Sequence, residues 1–173
     1  MAGRTSITLA EGMTGMTENV FLNIKNKSKT IPAEIEVPEG RDANGIIMVQ
    51  GGRFGGWALY VKDGIPAYDY NFLGLERSTI SGTEKLKAGK ATLRFEFAYD
   101  DGGLAKGGLG TLYVNDVKVG EGRIERTQPM IFSADETADV GIDLATPVVE
   151  VIGAEAKSRF NRRIPNVTVE IRP

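Results

Sequence analysis

The sequence predicts an all-β protein built as a two-sheet antiparallel sandwich. Three observations carry this. Apolar and polar residues alternate with period two in segment after segment, turn-forming clusters separate those segments, and no window of ten or more residues holds a convincing 3.6-residue apolar period. Alternation at every second residue puts the apolar side chains on one face of an extended strand. Many short strands of this kind bury those faces by stacking one sheet on another.

The elements follow in order. IPAEIEVP (31–38) places Ile31, Ala33, Ile35 and Val37 on one face. IIMVQ (46–50) is a strand leading into GGRFGG (51–56). In WALYVK (57–62), Trp57, Leu59 and Val61 face one way, and Ala58, Tyr60 and Lys62 the other. Asp63-Gly64 signals a hairpin, because the favoured tight turn needs positive φ at both central positions. The return strand IPAYDYNF (65–72) carries Tyr68, Tyr70 and Phe72 on one face, with Pro66 near its start, where a missing N–H is tolerated. ATLRFEFAYD (91–100) points Leu93, Phe95, Phe97 and Tyr99 inward. GTLYVNDVKVGEGRIE (110–125) reads as a hairpin turning at Asn115-Asp116. The segment 164–171 sets Val167, Val169 and Ile171 on one face and is expected beside strand 31–37 in the same sheet. DDGGLAKGG (100–108) reads as a flexible loop, and DETADVGIDL (135–144), the nearest approach to a helix, is interrupted by Gly141. Residues 1–173 are expected to form a single domain.

Composition limits the chemistry. The chain has 173 residues, 41% hydrophobic and 25% charged, and its 21 basic against 23 acidic residues leave a net charge of −2. That balance argues against nucleic acid or an anionic membrane surface as partner. No apolar run has the length of a membrane-spanning helix and no signal-peptide core is visible at the start, so a soluble protein of unassigned compartment is expected. There is no cysteine and no histidine. Disulfides, thiolate catalysis, thiolate zinc sites and Ser-His-Asp triads are thereby excluded.

The stretch GGRFGG poses the functional question, since a glycine-rich loop with an arginine can hold an anion. Its spacing matches no phosphate-loop motif, and it joins two strands rather than a strand and a helix. A strand connection is the simpler reading, with Phe54 and Trp57 as core or rim aromatics; an anion or domain contact for Arg53 is the sharper one. Two acidic groups, Asp100, Asp101 and Asp116, and Asp135, Glu136, Asp139 and Asp143, are candidates for a calcium ion. Nothing fixes a carboxylate pair at the separation that glycoside hydrolysis needs.

Four stretches, GGRFGGWALYVKDG, YNFLGLERSTI, RFEFAYDDGGLAKGGLGTLYVNDVKVGEGRIERTQP and FSADETADVGIDLATPV, resemble the C-terminal region of large bacterial arylsulfatases, in order and across nearly the whole chain. The same pattern resembles the concanavalin-A-like or laminin-G-like jelly roll, which makes the expected sandwich a jelly roll. The sulfatases, which are sulfuric ester hydrolases, use a formylglycine from a C/S-x-P-S-R motif, with histidines around the sulfate. None of these is present, so no catalytic residue carries over. The resemblance implies a non-catalytic accessory domain without cofactor, packing on a sulfatase catalytic domain in cis or in trans. Its expected contact surface comprises Arg53, Phe54, Trp57, Tyr70, Glu76, Arg77 and Arg126. The alternative is a lectin-like carbohydrate-binding module, for which Tyr60, Tyr68, Tyr70 and Asn71 are the expected sugar contacts; two or more coplanar exposed rings would favour it.

Overall fold

The computed structural model describes residues 3–173. Among the described residues, eleven strands form two antiparallel sheets. The first sheet runs β1 (Ser6–Leu9), β11 (Asn166–Ile171), β2 (Lys29–Val37), β7 (Gly89–Tyr99), β8 (Gly108–Val114), β9 (Val117–Ile124). The second runs β10 (Ala138–Val140), β3 (Gly45–Gly52), β4 (Gly55–Lys62), β5 (Ile65–Phe72), β6 (Glu76–Ser81). This is the two-sheet antiparallel sandwich that the alternation predicts, in the jelly-roll form that the resemblance implies. The last strand lies beside the second, Val167 opposite Ala33, as expected.

The core is the sum of the inward faces. Ile31, Ala33, Ile35, Leu93, Phe95 and Val167 from the first sheet meet Trp57, Leu59, Val61, Tyr68 and Tyr70 from the second. Tyr68 stacks on Phe95 across the interface, ring centroids 3.5 Å apart. Trp57 donates its indole N–H to Gln50 at 3.0 Å, which satisfies the one polar atom it buries.

Gly110 provides the room this packing needs. A side chain there would run into Ile80 and lie 2.8 Å from the Phe95 ring. The Asp63-Gly64 hairpin forms as predicted, with φ of 50° and 80°, and so does the turn at Asn115-Asp116, with φ of 47° and 66°. A bulge between Ile46 and Met48 turns both Ile47 and Met48 into the core, while Ile46 and Val49 face out.

That outer face of the second sheet is not open. The strap Asp143–Ser158 crosses it, and Val148 and Val149 pack with Ile46, Val49, Ala58, Tyr60 and Ala67 in a second apolar cluster. Asp143 organises the strap, accepting the Val148 N–H on Oδ2, while its own N–H donates to Ser158. Asp143 Oδ1 is buried without a partner, and burial raises the Asp143 pKa to about 8.

One sequence expectation changes. The 100–107 loop is tied down: the Tyr99 hydroxyl donates to Gly103 O and accepts the Lys106 N–H, and Asn26 accepts the Ala105 N–H. Residues 138–140, within the segment nearest to a helix, form edge strand β10. No helix among the described residues is long and apolar enough to cross a membrane.

Candidate functional site

GGRFGG is a hairpin turn. Gly51 pairs with Gly56 and Gly52 with Gly55, which leaves Arg53 and Phe54 as the two turn residues. The glycines are needed for contact as well as for bending. At Gly51, φ is +91°, and at Gly52 a side chain would lie 2.6 Å from Thr146 Oγ1 and 2.7 Å from Glu136 in the connection behind it. Thr146 accepts the Arg53 N–H at 3.0 Å and donates to Glu136 at 2.6 Å, so the strap and the turn are locked together.

The neighbouring turn between β5 and β6 is held against this one by Asn71. Fully buried, Asn71 donates to the Arg53 carbonyl at 2.8 Å and accepts the Gly74 N–H at 2.8 Å. Gly74 lies against the Phe54 ring, where a Cβ would stand 3.4 Å away. Phe54, Leu73 and Leu75 are all exposed here, Phe54 at 73%.

Two guanidinium groups converge at this rim. Arg53 Nε lies 3.2 Å from Glu150 Oε1, and Arg77 Nη2 lies 3.7 Å from the same oxygen. Arg77 projects from β6, Arg53 from the β3–β4 turn and Glu150 from the strap. All three are partly open to water, which favours exchange of the Glu150 carboxylate for another anion. Below them, on the strap-covered face, the Tyr60 hydroxyl donates to Asp69 at 2.8 Å. Burial raises the Asp69 carboxyl above the usual range, against the pull of hydrogen bonds from Tyr60 and Thr79 and of the Arg77 charge. At the edge of the same sheet, Arg126 forms a two-bond fork with Glu76 at 2.5 and 3.1 Å and stacks over Phe72 at 4.4 Å.

The expected surface residues thus divide. Arg53, Phe54, Glu76, Arg77 and Arg126 are exposed on the second sheet's turns and edge strand and on the segment after β9. Trp57, Tyr68, Tyr70 and Asn71 are corrected: they are between 0 and 3% exposed and make no outer surface. Trp57, Tyr68 and Tyr70 lie on the inward face of their strands, and Asn71 is consumed in joining two turns. Tyr60, on the opposite face from Tyr68 and Tyr70, lies beneath the strap. No aromatic platform forms, and Phe54 is the one strongly exposed ring among the described residues.

The acidic groups also change. Asp100 pairs with Arg123 at 2.6 Å, and Asp116 pairs with Arg94 near the opposite end of β7 and β8. Asp139 accepts hydrogen bonds from Gly15 N–H and Thr137. Among the described residues no three acidic groups are arranged to hold a metal ion. Glu150 is the site residue that sequence reasoning missed. Its one signal is a lone charge inside the apolar run VVEVI.

The sandwich superposes on solved structures at low sequence identity. A carbohydrate-binding module, CBM40 of the Ruminococcus gnavus IT-sialidase, bound to α2,3 sialyllactose, matches with a TM-score of 0.60 at 12% identity, over 96% of this chain and 89% of that one. The fold is that of this module. A NanB sialidase variant from Streptococcus pneumoniae matches with a TM-score of 0.62 at 13% identity, over 96% of this chain and 25% of that one. Domain 4 of the arabinanase AbnA from Geobacillus stearothermophilus, in complex with arabinotriose, matches with a TM-score of 0.52 at 14% identity, over 96% and 66%. No family model and no curated protein matches the chain. The jelly-roll half of the sequence resemblance stands on the fold; the sulfatase half has no counterpart among these matches.

Proposed function

We propose that the chain is a non-catalytic glycan-binding domain that takes the acid group of an acidic glycan between Arg53 and Arg77. The observation that carries this is the convergence of two half-open guanidinium groups, from different elements, on one carboxylate oxygen. A pair of arginines offers planar donors matched to a carboxylate or sulfate. Glu150 is then an internal stand-in for the ligand's acid. The missing aromatic platform argues against stacking of neutral sugars and for recognition by charge, with Phe54 as the one ring available for a sugar face. The similar domains solved with sialyllactose and arabinotriose support glycan binding as the class.

The test is a glycan array followed by calorimetry with α2,3-sialyllactose and a sulfated disaccharide. Binding to acidic glycans is expected, with affinity falling about tenfold in Arg53→Ala and in Arg77→Ala, the worth of one charge-assisted hydrogen bond. Glu150→Gln is expected to raise affinity severalfold by removing the internal competitor. An array with no acidic hit, or binding indifferent to both arginines, overturns the reading.

A second reading rests on the apolar half of the same rim. Phe54, Leu73 and Leu75, exposed side by side, suit docking against another domain, such as the sulfatase catalytic domain that the sequence resemblance implies. A sulfatase domain encoded beside this one, bound by this chain and released by Phe54→Ser with Leu75→Ser, is the outcome that selects it.

A further inference from the structure

Away from that rim, a groove of about 530 Å³ runs between the β6–β7 connection and the tip of the β8–β9 hairpin. Its floor is aliphatic. Leu86, Val114 and Val119 are half-buried against the main core and continue the line of Ala91, while Val117 stands 64% exposed at the lip. Its rim is cationic: Lys85, Lys87, Lys90 and Lys118 line it against one acid, Glu84. Lys85 is held by Asp42 at 2.8 Å and Lys118 by Glu121 at 3.3 Å. Glu36, opposite Lys90 in the ladder, is engaged by Arg162 at 3.6 Å. Lys87 and Lys90 have no carboxylate within 4 Å among the described residues. Two hollows adjoin it at Lys90, but Glu34, Glu36 and Glu39 line them, so the cationic rim ends there.

We infer that this groove docks an extended acidic peptide segment bearing aliphatic side chains. The chemistry selects that partner over a sugar. Lysine is a point charge on a flexible stem that meets a mobile carboxylate without demanding a fixed geometry. The floor presents aliphatic surface and no aromatic ring, and the side chains around it hold few acceptors for sugar hydroxyls, namely Glu84, Thr83 and Asn115. Alternating acidic and aliphatic side chains on an extended peptide place one set on the lysines and the other on the valines. The volume lies in the range of sites that enclose a ligand group.

The experiment is selection from a random dodecapeptide phage library on the whole chain, followed by fluorescence anisotropy of the enriched peptide made synthetically. Enrichment of sequences mixing Asp or Glu with Leu, Ile or Val is expected. Lys87→Glu with Lys90→Glu should weaken the synthetic peptide by tenfold or more, Val117→Asp should weaken it comparably, and Arg53→Ala should leave it unchanged. All of these positions are exposed, and an unchanged thermal midpoint confirms that the variants fold. No enrichment, enriched peptides lacking acids, or binding untouched by the lysine reversals overturns the inference. Displacement of the peptide by sialyllactose with Arg53 and Arg77 intact but not in their alanine variants would place the peptide at the other rim and overturn it equally.

Discussion

Single side chains carry both the joints and the liabilities of this molecule. Asn71 is a joint: it is fully buried and bridges two turns by hydrogen bonds in both directions. Asn71→Ala leaves the Arg53 carbonyl and the Gly74 N–H without that partner, at a cost of about 1–3 kcal/mol. A urea melt measures that cost, and the same variant should weaken acidic-glycan binding by freeing Arg53. Lys29 is a liability. It points into the end of the core, 5% exposed, with its ammonium 4.4 Å from the Phe97 ring centre. Burial, with help from the neighbouring Lys25 charge, lowers its pKa to about 7. Lys29→Met keeps the stem and removes the charge, so it should raise the urea midpoint at pH 6, where the ammonium must otherwise be held charged inside.

At the scale of elements, the glycines of β8 and the strap govern how closely the parts approach. Gly110→Val pushes a side chain into Ile80 and Phe95, and should cost about 1–3 kcal/mol as overpacking, read from the same melts. Gly103→Ala, at a position with φ of +116° but open space around it, separates backbone strain from crowding and should cost less. The strap is apolar underneath and charged on top. Val148→Asp, fully buried in the second cluster, should expose the outer face of the second sheet. Faster amide exchange confined to residues 143–158 and to β3–β5, with the main core still protected, is the expected signature.

At the scale of the whole molecule, Asp143 and Lys29, two groups shifted strongly toward neutral pH, set an unusual pH profile. Folded Asp143, at about 8, holds a proton that the unfolded chain releases near 4, so its contribution to stability is complete below pH 4 and is lost as pH rises through 8. Asp69 and Asp139, also raised by burial, act in the same direction. Folded Lys29, at about 7, lacks a proton that the unfolded chain keeps up to about 10.5, so its contribution is present above 10.5 and is lost as pH falls through 7. The urea midpoint should therefore fall from pH 5 to 7, pass a minimum between 7 and 8 where the two oppose, and recover toward pH 10. Asp143→Asn should flatten the first limb and Lys29→Met the second. A wild-type midpoint that climbs from pH 5 to 7 would contradict the Asp143 assignment, and one that fails to recover from pH 8 to 10 the Lys29 assignment.

Period-two alternation, read with the Asp63-Gly64 and Asn115-Asp116 turns, was enough to determine the architecture. Burial of alternate faces and positive φ at turn positions are local demands that a chain states in its own order of residues. The same alternation already separated Tyr60 from Tyr68 and Tyr70; grouping them as one sugar surface ignored it, and the core claimed Trp57, Tyr68 and Tyr70. Half of the candidate rim was legible because Arg53, Phe54 and Arg77 lie on or beside turns that the sequence marks. The other half came from positions far along the chain. Glu150 meets Arg53 and Arg77 only because the strap folds back over the second sheet, and Asp100 and Asp116 part because β7 and β8 carry them to opposite ends. Which face is covered, and which charges meet, depends on contacts between distant segments, and those are decided by the packing of the whole sandwich.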